Sequence, residues 1–163
     1  TIEGGGGNDV FRVNVDSDGA QTNVSGVAAE LTLNGKNGSD KYEIGLAGDD
    51  NAVINLFDDS VSGINSARLL GTTQSDYFLF RGNETTGMVG LVQSDIDGQA
   101  VVGGSFERVN YDGNISSLVV EGREGDDYFV FDETFSPITV FGGAGNDTFQ
   151  LGQIYESARD GSN

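Results

Sequence analysis

The sequence predicts an all-β chain in which short strands flank recurring glycine–aspartate turns and stack on one another as a solenoid. Three observations carry that expectation. One turn pattern recurs five times in register along 163 residues. Apolar residues of period two run into and out of each turn, the signature of half-buried strands. No stretch shows helical periodicity with capping residues.

The first turn, Gly4-Gly5-Gly6-Gly7-Asn8-Asp9, leads into Val10-Phe11-Arg12-Val13. The second, Gly35-Lys36-Asn37-Gly38-Ser39-Asp40, leads into Lys41-Tyr42-Glu43-Ile44 and follows a smaller turn at Val24-Ser25-Gly26-Val27. A degenerate copy spans Gly45-Leu46-Ala47-Gly48-Asp49-Asp50 and ends in Ile54. The third turn is Gly71-Thr72-Thr73-Gln74-Ser75-Asp76, followed by Tyr77-Phe78-Leu79-Phe80 and preceded by Val61-Ser62-Gly63-Ile64. The fourth is Gly122-Arg123-Glu124-Gly125-Asp126-Asp127, with Tyr111-Asp112-Gly113 before it and Tyr128-Phe129-Val130-Phe131 after it. The fifth is Gly142-Gly143-Ala144-Gly145-Asn146-Asp147, followed by Thr148-Phe149-Gln150-Leu151. Counted from the first residue of each turn, glycine stands at position 1 and, Gln74 apart, at position 4. Aspartate stands at 6, an aromatic ring at 8 and an apolar residue at 10.

Glycine at positions 1 and 4 admits positive φ without steric cost, which would curl each turn and bring its carbonyl oxygens inward. Leu118, Val120, Phe129 and Phe131 fall on one strand face, and Ile138, Val140, Phe149 and Leu151 repeat it. Such units bury no face alone and must stack. Stacking would align Phe11, Tyr42, Phe78, Phe129 and Phe149 in an internal column.

Composition narrows the chemistry. The net charge is −18, with 26 acidic and only 8 basic residues. A phosphate backbone is therefore excluded as a partner, and counter-cations are expected within the structure. Without cysteine or histidine there is no disulfide, no thiolate site, no imidazole base and no ordinary zinc centre. What remains is oxygen: carboxylates and curled backbone carbonyls, which suit calcium better than the smaller, strictly octahedral magnesium. No apolar run is long enough to span a membrane. The whole chain, 1–163, reads as one repeat segment of a larger protein, with residues 152–163 as a polar tail.

The turns resemble the haemolysin-type, or RTX, calcium-binding nonapeptide, in which glycines, an aspartate and a large apolar residue recur in that order. The match is complete over Gly4–Phe11 and Gly142–Phe149; Arg123, Lys36 and Thr72 stand where the other copies depart from the second glycine. The resemblance implies a right-handed parallel β-roll or β-helix solenoid with several calcium ions between adjacent turns. It implies an origin in a secreted or cell-surface bacterial protein exported by type I secretion. Carried onto this chain, the ligands would be Asp127 and Asp147 with carbonyls of Gly122, Glu124, Gly142 and Ala144. Asp9 with Gly4 and Gly6, Asp40 with Asp50, and Asp76 would supply further sites. Asp76 has a competing interpretation as a capped polar turn without metal.

The expected function is a calcium-binding structural or adhesive segment that folds on extracellular calcium, not an enzyme. Its partners would be calcium, neighbouring repeats of the parent chain, and a glycan or cell-surface protein. The alternative is a polysaccharide-binding accessory module, with Tyr77, Tyr111 and Tyr128 as candidate platforms. Asp16-Ser17-Asp18-Gly19 and Asp95-Ile96-Asp97-Gly98 lack the later glutamate of an EF-hand and read as exposed loops. Asp58-Asp59 reads as a solvated turn.

Overall fold

The computed structural model describes residues 1–22, 27–48, 51–59, 62–93, 101 and 103–152. Val24–Gly26, Asp50, Val61, Asp95–Asp97 and the tail beyond Gly152, all singled out above, lie outside them. Among the described residues there are thirteen strands and no helix.

Except over three consecutive strands, β7 to β9, the chain alternates between two sheets. The strands are β1 (Ile2–Gly6), β2 (Val10–Val13), β3 (Glu30–Asn37), β4 (Lys41–Gly45), β5 (Val53–Leu56), β6 (Asn65–Leu70) and β7 (Tyr77–Gly82). They continue with β8 (Thr86–Val92), β9 (Phe106–Asp112), β10 (Ile115–Glu124), β11 (Tyr128–Phe131), β12 (Ile138–Ala144) and β13 (Thr148–Leu151). One sheet has eight strands in the order β1-β3-β5-β9-β8-β7-β11-β13, the other five in the order β12-β10-β6-β4-β2. The five-stranded sheet is parallel throughout. Tyr42, Ile44, Leu69 and Val120 from it meet Leu33, Ile54, Phe78 and Phe129 from the larger sheet in one apolar core.

The expected right-handed parallel solenoid, whether β-roll or β-helix, is overturned: the chain forms a mixed eight-stranded sheet and a parallel five-stranded one. Strand β8 runs antiparallel to both β7 and β9. The cause lies in the long interval between Asp76 and Asp127. After β7 the chain folds back through a tight turn in which Asn83 Oδ1 accepts the N–H groups of Thr85 and Thr86. It then returns as β9 beside β5, so β7–β8–β9 form a meander that fills the gap. Glycines make room for it: an added Cβ at Gly87 or Gly90 would fall onto the rings of Tyr111 or Phe106.

The single aromatic column is also replaced by two. Phe11 stacks on Tyr42 in the five-stranded sheet at 5.1 Å. Phe78, Phe129 and Phe149 stack in the eight-stranded sheet at 5.1 and 4.9 Å. The split follows from direction. The first two turns lead from the larger sheet to the smaller, and the last three lead back. They therefore lie at opposite margins, and their position-8 rings enter different sheets. Phe149 and Leu151, expected inside, are exposed because β13 is the outermost strand of its sheet.

Candidate cation-binding turns

Each margin carries its own ladder of aspartates. At the first, the Asp9 N–H donates to Asp40 Oδ1 at 2.7 Å, and the Asp40 N–H donates to Asn65 Oδ1 at 2.9 Å. At the second, the Asp76 N–H donates to Asp127 Oδ1 at 2.9 Å, and the Asp127 N–H to Asp147 Oδ1 at 3.1 Å. Position 5 ties the turns in the reverse sense. The Ser39 N–H donates to Asn8 Oδ1, the Asp126 N–H to Ser75 Oγ and the Asn146 N–H to Asp126 Oδ1. Backbone bonds add to this, from Gly7 N–H to Asn37 O and from Gly125 N–H to Ala144 O.

The glycines at position 4 take the positive φ expected of them, but those at position 1 do not. Positive φ falls at positions 2 and 4, as at Gly5 (103°) and Gly7 (114°), and at Gly143 (116°) and Gly145 (131°). Lys36 (72°) and Arg123 (87°) hold the same left-handed conformation with side chains that disfavour it. Position 1 is glycine for another reason. A Cβ on Gly4, Gly35, Gly122 or Gly142 would fall onto Oδ2 of Asp9, Asp40, Asp127 or Asp147. Each aspartate folds its carboxylate back across the mouth of its own turn.

Oδ1 of Asp40, Asp127 and Asp147 is thus engaged with the neighbouring turn, while Oδ2 points into the curl. Oδ2 of Asp9, Asp40 and Asp127 is buried and receives no hydrogen bond. Asp40 and Asp127 are 0% and 1% exposed. A buried acceptor left without a partner costs about 1–3 kcal/mol, and more if charged. Burial raises the Asp40 carboxyl above its ordinary range and pushes Asp127 up to about 6; neighbouring carboxylates add to both shifts. A cation would remove that penalty, so the donor set fits one. Among the described residues no three or more acidic side chains gather at one point. A cation here would draw on backbone carbonyls as well, and the Gly142 carbonyl lies against Gly122 in the adjoining turn.

Of the residues named from sequence, Gly122, Glu124, Gly142 and Ala144 line the fourth and fifth turns. Arg123 pairs with Gly143 and Glu124 with Ala144 across β10 and β12. The Ala144 carbonyl already accepts the Gly125 N–H. Gly4 sits under Asp9, and Gly6 pairs with Asn37 across β1 and β3. Asp76 differs. Its Oδ2 accepts the Thr72 N–H at 2.6 Å and its Oδ1 the Thr72 hydroxyl at 2.8 Å. Thr72 and Gln74 lack the positive φ of the other turns, so the third turn closes on itself as a capped polar turn. Burial pushes Asp76 up to about 7 despite those bonds.

Two expectations are corrected. Asp58 is no solvated turn residue: it is 0% exposed, and its Oδ2 accepts the Tyr42 hydroxyl at 2.8 Å. Only Asp59 lies at the surface, paired with Lys36 at 2.9 Å. Tyr111 is fully buried and Tyr77 nearly so, which removes both as platforms. Sequence reasoning also missed Asn65, which takes the aspartate's place in the first ladder. The glycine at Gly63, 25 residues after Gly38 as Asn65 is after Asp40, is the signal that marks it.

Compared with protein-family models, curated proteins and solved structures, the chain matches none.

Proposed function

We propose that this chain is a calcium-stabilised structural or adhesive segment of a secreted or cell-surface protein. One observation carries the reading: the recurring buried Oδ2 of Asp9, Asp40 and Asp127, each aimed into a glycine turn with no donor to meet it. Asp127 and Asp147 with carbonyls of their turns would hold one ion at the second margin. Asp9 and Asp40 offer the same arrangement at the first. A cation that binds only the folded chain stabilises it by mass action. In low calcium, the uncompensated carboxylates of a chain with net charge −18 oppose compaction. At extracellular calcium, with affinities of about 0.1–1 mM usual for such modules, the same groups hold adjoining turns together.

Far-UV circular dichroism and thermal melting in EGTA, in calcium and in magnesium test this. Calcium should raise the melting temperature in a concentration-dependent way and magnesium should not. Asp127→Ala with Asp147→Ala should remove much of that rise. Equal stability in EGTA and calcium would sink the proposal.

A further inference from the structure

The repeat motif marks two turns at the first margin, yet the connection from β5 to β6 stacks on them as a third. An added Cβ at Gly63 would strike the Gly38 carbonyl, so Gly63 lies over position 4 of the second turn. The Ile64 N–H donates to Ser39 Oγ, and Asn65 Oδ1 accepts the Asp40 N–H. These residues occupy positions 5 and 6. Asn65 therefore fills the ladder bond of the missing aspartate but brings no charge.

The charge comes from elsewhere. Strand β3 pairs with β5 through Leu33 and Leu56, and continuing that register sets Asp58 beside Gly35, level with position 1 of the second turn, because this connection is two residues longer than the motif. There the Asp58 side chain comes within hydrogen-bonding reach of the Asp40 carboxyl. The Tyr42 hydroxyl joins Asp58 to the base of the second turn: it accepts the Gly35 N–H at 2.8 Å and donates to Asp58 Oδ2 at 2.8 Å. A Cβ on that same Gly35 would fall onto Asp40 Oδ2. Both aspartates are 0% exposed, and no donor reaches Asp40 Oδ2. Elsewhere in the first ladder the base of the turn is glycine; here it is a second carboxylate. Lys36 and its partner Asp59 lie outside this pair, at the surface.

We propose that Asp40 and Asp58 together hold a hard divalent cation of the calcium class, in a site that the glycine–aspartate motif does not mark. The carboxylate normally delivered from position 6 is delivered from position 1, and Asn65 keeps the ladder intact. This inference rests on the calcium reading of the turns and extends it to Asp58, a residue that the reading does not use.

Terbium and calcium serve as probes, terbium emission being excited through tyrosine. Bound ions are counted by calorimetry in wild type, Asp58→Asn, Asp127→Asn and Tyr42→Phe, each checked for folding by circular dichroism. The site predicts that Asp58→Asn binds one ion fewer and loses most of the Tyr42-dependent emission. Asp127→Asn should lose an ion at the other margin and keep that emission. Tyr42→Phe should keep the wild-type ion count and lose the sensitised signal. A folded Asp58→Asn with the wild-type count overturns this site, even where Asp127→Asn loses an ion and the general reading stands. Should Asp58→Asn not fold, undiminished emission from Tyr42→Phe overturns it. Wild type that binds no ion removes both proposals together.

Discussion

A glycine at position 1 of these turns is defined by its neighbour rather than by its own backbone angle. At Gly122 the space a Cβ would take holds Asp127 Oδ2 and the Gly142 carbonyl of the next turn. Neither can retreat without breaking the ladder. Gly122→Ala should therefore cost about 1–3 kcal/mol, the usual price of overpacking, and weaken the calcium response as well. Gly6 is the control. It has ordinary φ and open space around its Cα, so Gly6→Ala should stay within about 0.5 kcal/mol of wild type. Urea denaturation midpoints of the two variants check this. The third turn meets its carboxylate by other means: Thr72 at position 2 donates twice to Asp76 from within the same turn.

At the scale of elements, aromatic stacking and carboxylate stacking are two consequences of one register. Phe129 lies between Phe78 and Phe149 as Asp127 lies between Asp76 and Asp147. A shift of one residue would turn every ring of β11 to the other face. Phe129, fully buried in the middle of the stack, should cost about 3–5 kcal/mol when truncated to alanine. Phe149, 47% exposed at the end, should cost distinctly less. The comparison by thermal melting, in EGTA and in calcium, separates core packing from ion binding. The β7–β8–β9 meander adds contacts of its own: Tyr77, Leu79 and Val130 form a second apolar cluster with Met88, Val92 and Phe106 around it.

For the molecule as a whole, the raised carboxyls set the sign of its response to acid. A group whose folded pKa exceeds its unfolded value stabilises fully below the unfolded value, and that stability is lost as pH rises through the folded one. Unfolded aspartate titrates at about 3.9, whereas Asp127 and Asp76 stand at about 6 and about 7 in the fold. Asp40 and Asp112 are shifted in the same direction, by burial first. The metal-free protein should lose stability as pH rises from about 4 to about 7. Self-repulsion from the net charge of −18 acts the same way. Among the exposed groups, Asp59 is lowered by its bond to Lys36, but a surface pair of this kind contributes little. Melting curves in EGTA across that range should fall steadily; a rise would show that the buried carboxylates are neutralised by another means. On the proposed calcium reading, the ion would compete with the proton for the oxygens of Asp40 and Asp127, so its stabilising effect should grow over the same interval.

Much of this was legible in one dimension. The five turns, their ladder-forming aspartates and the strands around them follow from local rules: glycine where φ must be positive, and alternation where one face is buried. The exclusions follow from composition, since a chain without histidine or cysteine leaves only oxygen to meet a cation. The strand direction of the long interval was not legible, because a period-two pattern is the same for a parallel and an antiparallel neighbour. Nor was the division of the turns between two margins, which depends on which sheet each strand joins. Asp58 was misread for the same reason. Two adjacent aspartates look solvated in sequence, and only the register of β5 on β3 turns one of them inward against Asp40 and Tyr42. Local chemistry specified the turns and their oxygens; long-range pairing decided which oxygens meet.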